Sequence, residues 1–269
     1  MSKSETKGIA LVTGASTGIG AVYADRLAKR GYDLILVARN EARLQALAAR
    51  LTQETGRSVK VLPADLGNKQ DLAKVEKVLA GEPAIAVLVN NAGTASIAPL
   101  LAADVDKMEA MIALNVTALT RLTYAAAPAF VARGKGTIVN IASIVGIAPE
   151  RLNGVYGATK AYVLAFGHSL QHELAAKGVR IQSVLPGATA TDLWELAGRP
   201  HHLLPKEIVM SAEDMVDAAL VGLDRGELVT IPPLQGEAEW TKWEADRRAL
   251  SERFGHSAPA PRYAVARAS

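Results

Sequence analysis

Seven short runs of β-branched and aliphatic residues recur along the chain, with longer stretches of helical spacing between them, and this alternation restricts the fold more than any other feature. The runs are GIALVT (8–13), DLILVA (33–38), VKVLP (59–63), IAVLVN (85–90), GTIVNIA (136–142), VRIQSVL (179–185) and ELVTI (227–231). Runs of this length with no polar alternation fit strands buried on both faces, as in a parallel sheet whose connections are helices. Helices are expected at about 19–30, 40–55, 68–80, 104–133, 154–177 and 211–224. The pattern predicts an α/β fold: a single-domain, Rossmann-type doubly wound parallel sheet of about seven strands, helices on both faces, ligand at the carboxyl ends of the strands. That domain is expected to cover 1–254, with a further helix at about 237–254. Residues 188–210 exceed the usual connection of about 2–6 residues and are read as a substrate lid. The Pro/Ala/Ser/Arg tail, 255–269, is expected to be mobile and outside the chemistry.

Composition narrows the function. With 49% hydrophobic and 21% charged residues, the 269-residue chain can bury a sizeable core. The net charge of +3 is not gathered into a basic run, so nucleic acid is not an expected partner. Zero cysteines exclude disulfides, thiol catalysis and Cys-ligated metals, and the five histidines lack metal-ligand spacing, so no metal is expected. The N-terminus is polar for seven residues and then apolar for only about six, too short for a leader or a span; the expectation is cytoplasm and no membrane.

The first run passes through TGASTGIG (13–20) into a helix. Glycines at 14, 18 and 20 let backbone approach a pyrophosphate, and the new helix offers free N–H groups and a positive dipole end. The alternative is a tight turn with no ligand. The second run ends VARN, with Ala38 where an acid would accept a ribose hydroxyl and Arg39 beside it. An arginine there suits the 2′-phosphate of NADP; the alternative is a surface ion pair with Glu41. Asp65, after the third run, either bonds an adenine amino group or caps the next helix.

In YGATK (156–160), Tyr156 and Lys160 are one helical turn apart and share a face. Lowering a phenol from about 10 by about three units requires roughly 4 kcal/mol, which an ammonium and a positively charged nicotinamide ring supply together. Ser143 lies just past the fifth run, where a hydroxyl can hold a carbonyl oxygen beside the tyrosine. Asn115 is polar in an apolar helix and needs a hydrogen-bonded reason to be there: a neighbouring backbone group, or a water relaying protons to Lys160.

Across about residues 7–231 the sequence resembles a short-chain dehydrogenase/reductase of the single-domain type, on TGASTGIG (13–20), NNAG (90–93), Asn115, Ser143, YGATK (156–160) and PGATAT (186–191). The resemblance implies a catalytic tetrad of Asn115, Ser143, Tyr156 and Lys160. It implies a cofactor site of Gly14, Ser16, Thr17, Gly18, Ile19, Gly20, Arg39, Asp65, Leu66, Asn91, Ala92, Gly93, Tyr156, Lys160, Pro186, Gly187, Thr189 and Thr191. Ser143, Val145, Tyr156 and Trp194 are expected at the substrate. Thr17 stands where some NADP-using relatives carry a basic residue, so the preference for NADP(H) over NAD(H) rests mainly on Arg39. The reaction implied is carbonyl reduction, of a ketone, aldehyde or 3-oxoacyl compound, by hydride transfer with Tyr156 as general acid. The alternatives are an NAD-dependent alcohol dehydrogenase and a non-catalytic dinucleotide sensor.

Further lining is expected from Ile144, Ile147, Val155, Ala188, Leu193 and Leu196, with Leu203 and Leu204 farther along the lid; His201 and His202 are read as solvent-facing. Helix 104–133 is apolar around most of its girth, and helix 154–177 has small residues at Gly157, Ala158, Ala161 and Ala165. The family pairs through these helices, which implies a homodimer or homotetramer. Trp240 and Trp243 in the C-terminal helix are read as core packing, the alternatives being an interface or a cover over the site.

Overall fold

The computed structural model describes residues 6–152 and 154–263. Seven strands form one parallel sheet: β1 (Ile9–Thr13), β2 (Asp33–Ala38), β3 (Val59–Pro63), β4 (Ile85–Asn90), β5 (Gly136–Ile141), β6 (Val179–Val184) and β9 (Val229–Thr230), in the order β3-β2-β1-β4-β5-β6-β9. From β1 the chain winds outward to β3, then returns to lay β4 on the other side of β1. This reversal leaves a crevice beyond the carboxyl ends of β1 and β4.

Alternation along the strands divides the core. Ala10 and Val12 face one layer, α1 (Gly18–Lys29), α2 (Glu41–Thr55) and α8 (Ala212–Arg225), through Leu27, Leu44, Leu51, Val216 and Leu220. Leu11, Leu88, Ile138 and Ile181 face the other layer, α3 (Lys69–Gly81), α5 (Leu119–Ala132) and α6 (Gly154–Leu174), through Val75, Leu122, Phe130 and Leu170. Side chains set the helix starts: Asn40 accepts from the Arg43 N–H, Asn68 from Gln70 and Asp71, and Ser211 from Asp214.

Two expectations change. The helix expected at 104–133 consists of α4 (Val105–Ile112), a π-helical stretch (Ala113–Ala118) and α5. One strand pair too short to register as an apolar run also forms. β7 (Ala188–Thr189) pairs in parallel with β8 (Val209–Met210), closing the base of the 190–208 excursion, within which α7 (Leu193–Leu196) is a single turn.

The chain packs as two units, Met1–Pro233 and Leu234–Ser269. The second is built on α9 (Glu237–Ser251), none of whose residues is buried. Trp240 and Trp243 stack on each other at 4.7 Å instead of entering a core. Of the segments read above, residues 1–5 and the last part of the tail, 264–269, lie outside the described residues. Among the described residues no helix is long and apolar enough to cross a membrane.

Candidate active site

Beyond β1 the chain turns through Gly14 (φ 63°) and Gly18 (φ 53°), left-handed positions that L side chains rarely adopt. A Cβ at Gly20 would lie 2.2 Å from the Gly14 carbonyl oxygen and 2.5 Å from Asn91 Nδ2, so α1 starts this close to the strand only with glycine there. The segment after β4 props the turn. Thr13 Oγ1 accepts from the N–H groups of Asn91 (2.9 Å) and Ala92 (3.0 Å) and donates to the Val89 carbonyl (3.1 Å). Asn91 Nδ2 donates to the carbonyls of Thr13 and Gly14 at 2.9 and 3.2 Å. The first turn of α1 has no acidic residue and Thr17, its N-cap, makes no side-chain cap bond, so the positive helix end is uncompensated. Close backbone approach and free helix N–H groups fit a dinucleotide's pyrophosphate.

At the end of β2, Arg39 is exposed and, among the described residues, has no hydrogen bond or ion pair; the pairing with Glu41 is not formed. Asp65 is exposed and its Oδ1 accepts the Gly67 N–H at 2.9 Å, while Asn68 caps α3. The alternative role of Asp65 as helix cap thus falls to Asn68. Leu66 beside it is buried.

Ser143 follows β5, and α6 brings Tyr156 and Lys160 to it. The Ser143 hydroxyl donates to the Pro186 carbonyl (3.3 Å) and accepts from the Val145 N–H (3.4 Å), and Ser143, Tyr156 and Lys160 line one cleft. Lys160 Nζ donates to the Ile141 carbonyl at 2.8 Å and lies 5.8 Å from the Tyr156 ring centroid. α6 can lie this close because its neighbours are small. A Cβ at Gly146 would press on the Lys160 carbonyl at 2.9 Å, and one at Gly157 on Pro149 at 2.9 Å. Gly157, one of the small residues expected either within the domain or at a subunit interface, is therefore packed against its own chain.

Burial dominates the electrostatics. Tyr156 is pushed up to about 12 by desolvation, with the nearby Ser143 hydroxyl acting the other way. Lys160 is brought down to about 8 by burial alone. In the protein by itself, the phenol is not lowered by its lysine.

Asn115 lies in the π-helical stretch and is buried. Its Oδ1 accepts from the Thr94 N–H (2.9 Å), and its Nδ2 donates to the Thr94 carbonyl (2.8 Å) and Thr159 Oγ1 (3.2 Å). Thr159 in turn donates to the Tyr156 carbonyl at 2.8 Å. The amide therefore serves a neighbouring backbone and ties it to the helix turn that carries Tyr156. π-Helical turns of this kind concentrate at functional sites.

A cleft opens over these groups. Its walls include Ile19, Asn91, Gly93, Ser143, Tyr156, Lys160, Pro186, Gly187, Thr189, Thr191, Leu193 and Trp194 from among the expected residues. Val145 is not on the wall; it is buried in a cluster with Met108, Met111 and Tyr156. Leu196 and Leu203 are 71% and 59% exposed. His202 is exposed, whereas His201 is half-buried with an Nδ1 that meets no partner among the described residues; neither lines the cleft. Thr94, Ala95, Ile97, Leu152 and Ala197 are further wall residues and were not anticipated. For residues 94–97 a signal was available: they directly follow NNAG at the carboxyl end of a central strand.

Among solved structures, a short-chain dehydrogenase from Sphingobium yanoikuyae in complex with NADPH is 49% identical, with a TM-score of 0.93, over 96% of this chain and 100% of that one. A bulky-bulky ketone specific alcohol dehydrogenase from Comamonas testosteroni is 42% identical, with a TM-score of 0.90, over 97% of this chain and 100% of that one. Among curated proteins, the very-long-chain 3-oxoacyl-CoA reductase of Anas platyrhynchos is 37% identical over 194 residues, 70% of this chain and 62% of that protein. A second such reductase, reductase-A of Danio rerio, matches over 60% of its length, so the chain spans less than two thirds of these curated relatives. Residues 8–200, from the start of β1 into the excursion between β7 and β8, match the family described as short chain dehydrogenase, and the chain belongs to that family.

Proposed function

We propose that the protein is an oxidoreductase that reduces a carbonyl compound to its alcohol with NADP(H) in preference to NAD(H). The observation that carries this reading is the convergence of Ser143, Tyr156 and Lys160 on the wall of one cleft, beside a glycine turn suited to a dinucleotide. The bound nicotinamide cofactor would supply the hydride. Gly14, Gly18 and the start of α1 would hold its pyrophosphate, and Arg39 its 2′-phosphate. Ser143 donates to the substrate's carbonyl oxygen, and Tyr156 delivers the proton as negative charge develops there. A phenol near 12 keeps its proton until that oxygen demands it. Lys160 places an ammonium beside the phenolate left behind, and Asn115 positions Thr94 and the Tyr156 turn.

The binding of NADPH by the Sphingobium relative supports the cofactor preference. The absence of a basic residue at Thr17 favours NAD(H) as the second reading. Ile97 and Leu152 on one wall, and Leu193, Trp194 and Ala197 on another, suit a ketone with apolar substituents, and the ketone specificity of the Comamonas relative supports the same class. Subunit pairing through α5 and α6 belongs to the proposal. Tyr124 (69% exposed) and Tyr162 (37%) both stack on Phe166 there and would lie in the interface.

The test is a panel of ketones, aldehydes and alcohols followed by NADPH absorbance. Tyr156→Phe should retain NADPH binding and lose turnover by about 10²–10⁴-fold. Undiminished turnover in that variant refutes the assignment. NADPH binding with no carbonyl-dependent oxidation across the panel would favour a dinucleotide sensor.

A further inference from the structure

Arg39 is not the only cation at the corner between β2 and α2. Arg43, in the first turn of α2, extends its guanidinium to the carboxylate of Asp192, 149 positions away in the lid, at 3.4 Å. The two side chains are 57% and 56% exposed, so the contact is a solvent-screened pair that a stronger anion can displace. Asp192 directly follows Thr191, whose side chain lies where it would meet a Cβ on Gly18 at 3.0 Å. The pair therefore links the β2–α2 corner to the chain that lies against the glycine turn. Arg39, four residues before Arg43, has no partner among the described residues.

We propose that Asp192 is an internal stand-in for the cofactor's 2′-phosphate. In the free protein its carboxylate holds Arg43 beside Arg39; a dinucleotide carrying a 2′-phosphate displaces it and takes Arg43 as a second ligand. A dinucleotide with a 2′-hydroxyl brings no competing charge and leaves the pair intact. Selectivity is then set by two arginine–phosphate bonds formed against one weak ion pair broken. Arg43 supplies, from α2, the second positive charge that Thr17 does not supply in the glycine turn. The inference rests on reading Arg39 as a phosphate ligand.

Titration calorimetry on the full chain with NADP⁺ and NAD⁺ tests it without any turnover. Arg39→Ala and Arg43→Ala should each weaken NADP⁺ by about tenfold or more, through loss of a charge-assisted hydrogen bond. NAD⁺ should stay within about twofold for both, since surface pairs contribute little. Asp192→Ala should tighten NADP⁺ by about threefold, the pair no longer having to break, and leave NAD⁺ unchanged. Arg43→Ala/Asp192→Ala should match Arg43→Ala. If Arg39→Ala discriminates between the dinucleotides while the Arg43 and Asp192 variants do not, the stand-in is overturned and the NADP reading survives. If Arg39→Ala does not discriminate, the reading beneath both is lost. Asp192→Ala weakening both dinucleotides alike would make the pair a structural tie and overturn the exchange.

Discussion

Two buried ionisable groups on opposite layers of the sheet have been treated in opposite ways. Asp25 on α1 is 5% exposed and receives Arg26 at 2.7 Å, Lys29 at 2.8 Å and Arg50 at 3.1 Å. Burial alone would raise its carboxyl, but the hydrogen bonds from Lys29, Arg26 and Arg50 outweigh it and hold the group below the usual carboxylate range. Lys160 on α6 is 7% exposed and has, among the described residues, no carboxylate at all; its donor goes to a backbone carbonyl and burial depresses it. A charge answered from within the protein stabilises the fold. One left unanswered in a cleft is suited to an incoming ligand.

Exchanging the two groups' fates is the sharpest way to break this contrast. Lys160→Met should cost turnover by about a hundredfold or more. It should also change the pH dependence of stability, with a sign opposite to that of a salt-bridged lysine. Below about 8 both native and unfolded states carry the charge, and the native state bears its desolvation. Between about 8 and the ordinary 10.5 the unfolded chain holds a proton that the native protein has released, so wild-type stability climbs with pH. Urea titrations across that window should show the climb in wild type and a smaller one in Lys160→Met; equal slopes would mean that Lys160 is not depressed.

Asp25→Asn should leave turnover intact and lower stability by about 2 kcal/mol, because three cations lose a charged acceptor. With its folded value depressed, Asp25 contributes fully above 3.8, and that contribution is lost as pH falls through the lower folded value. The stability curves of wild type and variant should therefore converge in acid. Parallel curves would dissociate the cluster from acid denaturation. The smallest effect is expected at Arg30, whose forked pair with Asp224 is exposed on both sides (34% and 58%). Arg30→Ala should lower stability by about 0.5 kcal/mol, measured in the same titration.

What the sequence discloses follows the range of the forces involved. Six of the sheet strands lie within a residue or so of their apolar runs, because burial on both faces writes itself into consecutive positions. The glycine turn, Ser143 and the Tyr156–Lys160 pair are equally legible, since each depends on local geometry at a strand end or along one helix. β7 and β8 are not, because two residues carry no periodicity and their pairing is set by chain about 20 positions apart. Nor does spacing disclose that Asn115 bonds Thr94, that Leu152 joins the cleft, or that Asp192 meets Arg43. Those contacts are products of the assembled sheet.

The π-helical stretch has a consequence for the phase of the helix that contains it. An inserted residue advances everything downstream by about 100° around the axis. Met108 and Met111, upstream, face the cluster around Tyr156, while Leu122, Ala126 and Phe130, downstream, face the sheet. One continuous rod thus addresses two partners that a regular α-helix would not reach with the same sequence. A one-residue deletion within 113–118 would restore the regular phase and turn one of those faces away from its partner, so the chain's frame at Asn115 is itself part of how the site is held.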